Sequence, residues 1–113
     1  MQLKMLMATA FTVALSFGAQ AQETNFKIGL SNSFVGSEWR TQMIEEAQAA
    51  AKAWADKGVN VEVVVQSGNV DVQGQIGHVR NFMNQGVDAI LINPGSPTAF
   101  DPIFAQAKAR NIL

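Results

Sequence analysis

Two hydrophobic rhythms alternate along this chain. Short apolar runs at residues 26–30, 59–65 and 87–92 are rich in Val, Ile and Leu, as strands are. Between and after them, apolar positions recur every three or four residues, the spacing of an amphipathic helix. Over 38–56, Met43, Ile44, Ala47, Ala50, Ala51 and Trp54 share one face, which assigns Trp54 to the core. Glu45, Glu46, Gln48, Lys52 and Asp56 take the opposite side. Ile76, Val79, Phe82 and Met83 form the inward stripe of a helix over 71–85, and Phe100, Ile103, Phe104 and Ala107 that of a third. Val63, Val64 and Val65 are apolar without alternation, which predicts burial on both faces of a parallel sheet.

Punctuation residues agree with these limits. Ser37 is placed to cap the first helix, and Glu38 suits its first turn through the helix dipole. Asp71 is the expected cap of the second helix. Thr98 with Asp101 has capping-box spacing for the third, with Pro102 in its first turn. Gly58 and Gly86 follow the first two helices, where a left-handed residue closes the end. Gly74 and Gly77 inside the second helix cost it about 1 kcal/mol each relative to alanine.

The order is strand, helix, strand, helix, strand, helix, with strand centres roughly 30 residues apart, the length of a βαβ unit. Right-handed crossovers make this an α/β fold, a three-layer parallel sheet with helices on both faces. Residues 111–113 fall where a fourth strand is due, and a three-stranded sheet leaves an edge uncovered. The chain therefore reads as an N-terminal fragment of a longer protein.

The leader changes where this fold is expected to work. Lys4 is followed by an apolar stretch to Phe17, too short to span a bilayer, and Ala19-Gln20-Ala21 has the small residues of a processing site. Residues 1–21 read as a signal peptide cleaved after Ala21, and an uncleaved anchor is the weaker alternative. Residues 22–113 are the globular part. Its charge is 7 − 9 = −2, since Lys4 is the leader's one charged residue. That balance argues against nucleic acid as a partner. Without cysteine, neither disulfides nor thiolate chemistry arises. With His78 the single histidine, a zinc site would need carboxylates almost alone. No metal or cofactor is expected.

Candidate chemistry lies in three polar turns, at 31–40, 66–69 and 93–97. All three follow strands, so they share the sheet's carboxyl edge, where open α/β folds bind ligands. The edge is rich in amides and hydroxyls and poor in catalytic groups. Ser31, Ser33, Ser37, Ser67 and Ser96 have no histidine near them in sequence, and His78 reads as a surface or half-buried helical residue. Neither a dinucleotide nor a nucleotide glycine motif is present. Trp39 and Arg40 admit two readings. Trp39 packs on the core and Arg40 points to water, or Trp39 offers a flat face to a sugar while Arg40 donates to its hydroxyls. Glu38 is a dipole residue that could also accept sugar hydroxyls. Asn93, before Pro94, either shapes its turn or lines the cleft. Asp88, at the opposite end of its strand, is set aside.

The segment from Phe26 onward resembles the first part of a periplasmic sugar-binding protein of an ABC transporter, of the type I ribose- and galactofuranose-binding kind. The resemblance rests on Ile28-Gly29-Leu30-Ser31, Gly36-Ser37-Glu38-Trp39-Arg40, Gln75 to Val79, Asn81-Phe82, Gln85 through Pro94 with its Gly-Val-Asp-Ala-Ile core, and Phe104 to Lys108. It implies an incomplete N-terminal lobe of a two-lobed protein that closes on a monosaccharide and delivers it to a permease in the inner membrane. It further implies a periplasmic location, a monomer when full length, and no catalysis. Ligand contacts carry onto Trp39 and Arg40, then Glu38, Ser37 and Asn93. The family's acidic residue and arginine after the fourth strand lie beyond this sequence. An exported α/β hydrolase, or a module presenting sugar to a chemoreceptor or sensor kinase, are the alternatives. The DNA-binding regulators of the same superfamily are disfavoured by the leader.

Overall fold

A computed structural model describes residues 24–113. The signal peptide expected at 1–21 and its cleavage after Ala21 lie outside the described residues. The elements are β1 (Thr24–Asn32), α1 (Glu38–Ala55), β2 (Val59–Ser67), α2 (Val72–Asn84), β3 (Ala89–Asn93) and α3 (Asp101–Ala109). The three strands form one parallel sheet in the order β2-β1-β3. Ile28 lies level with Val63 on one side and Ala89 on the other; Asn32 lies level with Ser67 and Asn93. The expected α/β class and parallel sheet are as observed.

Side-chain alternation on β1 divides the layers. Gly29 faces α2 so closely that a Cβ there would stand 2.5 Å from the ring of Phe82. Ser31, on the same side, meets α2 through Gln75 and His78. Beneath α2 and α3 lies the main core, built from Val79, Met83, Phe100, Ile103 and Ala107, with Ile90 and Ile92 of β3 packed against it. Phe26 and Ile28 face the other way, toward α1.

The α1 side is less closed than the apolar pattern predicts. No residue of α1 is buried. Phe104 of the α3 stripe, on the opposite face, is 37% exposed beside Ile90, Ile92 and Ile112; on the α1 side Trp54, expected in the core, is 50% exposed. The cause is the way α1 sits. It packs on the edge strand β2, leaving a groove of about 420 Å³ between Ala47, Ala51 and Trp54 of the helix and Phe26, Ile28 and Leu91 of the sheet. The Trp54 ring meets Lys57 Nζ at 4.7 Å instead. Val63, Val64 and Val65 are half-buried rather than buried on both faces, because β2 is an edge strand.

Helix limits match the punctuation closely, with two exceptions. The Asp71 carboxylate accepts from Gly74 N at 2.7 Å, and Gly58 and Gly86 carry φ of 82° and 67°. Ser37 occupies the N-cap position of α1 in extended conformation, yet its side chain makes no capping bond. Its carbonyl accepts from the N–H groups of Arg40 and Thr41 instead. Thr98 does not cap α3 either; Phe100 holds that position, and Ser96 Oγ accepts from Thr98 N and Ala99 N. A Cβ at Gly77 would meet nothing within 4 Å, and one at Gly74 would meet Val70 and Asp71, so neither glycine serves contact with the sheet.

Candidate functional site

Strand β1 runs two residues further than its apolar run predicts, because buried polar bonds extend it. Ser31 and Asn32, expected in the first turn, are buried at the strand's end. Asn32 N donates to Ser67 Oγ at 3.0 Å, and Asn32 Nδ2 approaches the same oxygen at 3.4 Å. Its Oδ1 is buried with no hydrogen-bond partner among the described residues. Side by side at the ends of three strands, Asn32, Ser67 and Asn93 make a polar row across the sheet.

Above that row the three turns are tied together. Val70 N donates to Ser33 O at 3.0 Å, Gly68 N to Asn32 O at 3.3 Å, and Val35 N to Asn69 Oδ1 at 3.3 Å, joining the first turn to the second. The third turn reaches the first at Gly95, where a Cβ would lie 3.2 Å from Ser33 Oγ. Ser33 is thus the point where all three loops meet.

At the start of α1 the candidate residues are contiguous. Trp39 is 62% exposed, so it does not pack on the core. Arg40 is half-buried. Its guanidinium lies 5.7 Å from the Phe34 ring centroid, within cation–π range, and donates to Phe34 O at 3.2 Å. A guanidinium has five N–H donors, and this bond uses one. Ser37 is half-buried and Glu38 exposed at the mouth of this turn. Asn93 stands apart, on the far side of β1, with its main-chain O held by Gln75. The carboxyl edge therefore holds all five expected ligand residues, as four on one turn and one across the sheet.

One pairing joins residues far apart in the sequence. Ser31 Oγ lies 2.9 Å from His78 Nδ1, so a serine does meet the histidine. Gln75 Nε2 donates to Ser31 Oγ at 3.4 Å, which leaves the serine O–H to donate to a neutral His78. Burial lowers the His78 pKa below the ordinary 6.5, in keeping with that neutral state. Ser31 is fully buried, so its oxygen presents nothing to a substrate. The pair joins β1 to α2 and lacks the open face a nucleophile needs.

Gln75 is the functional residue that the sequence motifs do not single out. It is fully buried, and it holds the third turn through both ends of its amide. Its signal was present in the chain: Gln75, Val79 and Phe82 fall at helical spacing, which puts a glutamine on an apolar stripe.

Comparison with known proteins supplies the family context. The model of the periplasmic binding protein domain matches residues 28–113. The galactofuranose-binding protein of Escherichia coli K12 is 32% identical over 111 residues, covering 96% of this chain and 32% of that protein. An ABC transporter solute binding protein from Thermobispora bispora superposes with a TM-score of 0.65 at 38% identity, over 78% of this chain and 28% of that one. The periplasmic binding protein component of the arabinose ABC transporter from Shewanella sp. ANA-3, solved with α- and β-L-arabinofuranose, gives 0.66 at 32% identity, over 76% and 27%. The chain thus spans about a third of the length of these relatives.

Proposed function

This chain belongs to the periplasmic binding protein domain family, and from that premise we propose that it forms part of the solute-binding component of a carbohydrate ABC transporter. In this reading the protein captures a monosaccharide at the carboxyl edge of the sheet, by closure of a second lobe over it, and delivers it to a membrane permease. It works in the periplasm and carries out no chemistry on the sugar.

The observation that supports this best is the exposed Trp39 ring, next in the chain to a half-buried arginine, at an edge built of amides and hydroxyls. A pyranose or furanose presents C–H groups on one face and hydroxyls around its rim. Trp39 suits the face, and the free N–H groups of Arg40 suit the rim. Glu38 and Ser37 extend the polar wall, and Asn93 contributes from the other side of β1. Because relatives are named for galactofuranose or were solved with arabinofuranose, small furanose-forming sugars are the ligands to test first.

Calorimetric titration of the full-length protein with D-galactose, L-arabinose and D-xylose tests the reading. Micromolar or tighter binding of one of them is expected. Failure of all simple pentoses and hexoses to bind would contradict it.

A further inference from the structure

We propose that Gln75 is a positioning residue for the sugar site: its buried amide clamps the turn that carries Asn93. The inference rests on the sugar-binding reading above for its consequence, and on hydrogen-bond geometry for the clamp itself.

Beyond Asn93 the sheet ladder stops, and Pro94 has no N–H to offer. On either side of Pro94 stand one main-chain acceptor, Asn93 O, and one main-chain donor, Gly95 N–H. Gln75 takes both. Its Nε2 donates to Asn93 O at 2.9 Å, and its Oε1 accepts from Gly95 N at 2.8 Å. The side-chain amide thereby satisfies the two main-chain groups that flank Pro94.

The amide's orientation is fixed. Turning it over would face its N–H groups against the Gly95 N–H and its oxygen against Asn93 O. Ser31 Oγ accepts a further bond on the Nε2 side, while its own hydroxyl turns to His78. The clamp is thus oriented from the middle of the sheet. Because Gly95 also packs on Ser33, holding Gly95 sets the third turn against the first. Asn93 is positioned relative to the Trp39 wall through this link, without Gln75 touching a ligand.

The test compares Gln75→Leu and Gln75→Glu with the wild type in the full-length protein, using D-galactose and L-arabinose as probes at pH 8 and pH 5. Folding is checked by circular dichroism. Gln75→Leu, folded, is expected to lose at least tenfold in sugar affinity at both pH values. Gln75→Glu keeps an acceptor for Gly95 but opposes a carboxylate oxygen to Asn93 O. It is expected to lose at least tenfold at pH 8, and to recover toward wild type at pH 5 as the introduced carboxyl gains a proton to donate. Gln75→Leu has no ionisable group at this position, so its own change between the two pH values is the reference for the contribution of His78, which the Ser31 hydroxyl links to residue 75. Folded variants that bind as tightly as wild type at both pH values would overturn the positioning role. Hydrogen exchange at the Gly95 amide separates the clamp from the sugar reading. At least tenfold faster exchange in Gln75→Leu is expected even if no sugar binds, and unchanged exchange would overturn the clamp outright.

Discussion

Ser31 Oγ and His78 Nδ1 stand 2.9 Å apart across 47 residues of sequence, joining the buried end of β1 to the middle of α2. The bond needs His78 neutral at Nδ1, and the histidine's depressed pKa is the consequence of burying it there. In the unfolded chain His78 takes up its proton near 6.5; in the fold it does so only at lower pH. As pH falls below 6.5 the unfolded state therefore binds more protons, and stability drops until the folded-state pKa has been passed. Above 6.5 this contribution is fully present. Urea midpoints measured from pH 8 to pH 5 are expected to fall, and His78→Gln is expected to flatten that fall. An unchanged slope in His78→Gln would remove the histidine from the account.

Two glycines on neighbouring elements are expected to respond oppositely to alanine. At Gly29 an added methyl would lie 2.5 Å from the fully buried Phe82 ring, which has nowhere to go. Gly29→Ala should cost about 1–3 kcal/mol, the usual range for overpacking. At Gly77 the methyl meets open space in the interior of α2. Gly77→Ala should add about 0.5–1 kcal/mol, because alanine loses less backbone entropy in a helix. Chemical denaturation of both variants checks the pair, and the same sign for both would contradict the packing described.

Asn32 is held in the fold with one end of its amide unmatched among the described residues. A buried polar atom without a partner costs roughly 1–3 kcal/mol, so an apolar side chain of similar size should be tolerated. Asn32→Val also suits a strand better than asparagine does. It is expected to leave the denaturation midpoint unchanged or raised. A loss of more than about 2 kcal/mol would show that the amide is better satisfied than its surroundings indicate.

The fold was legible because strand and helix periods, Asp71, Gly58 and Gly86 all point to the same limits. Trp54 was misplaced for a physical reason: periodicity identifies a face but not what covers it, and α1 settles on β2 rather than over the centre of the sheet. In the sequence Ser31 and Asn32 look like loop, because polar residues usually end an apolar strand. Here both are buried within the layers, Ser31 paired with Gln75 and His78 and Asn32 through its Nδ2 with Ser67. The turn carrying Ser37, Glu38, Trp39 and Arg40 could be read from sequence, since those residues are adjacent. The tie between Asn93 and Gln75 could not, because an amide that spans a turn leaves no periodic trace beyond one glutamine on an apolar stripe.

Trp39 tests the account most directly. Its ring is exposed and away from the core, so removing it should leave the fold intact. If it stacks on sugar, Trp39→Ala should cost about 1–3 kcal/mol of binding free energy, or roughly fivefold to more than a hundredfold in Kd. The measurement is calorimetric titration of full-length wild type and Trp39→Ala with the sugar the wild type binds. The expected result is that loss of affinity with an unchanged circular dichroism spectrum. Equal affinity in a folded Trp39→Ala protein would contradict sugar capture at this edge.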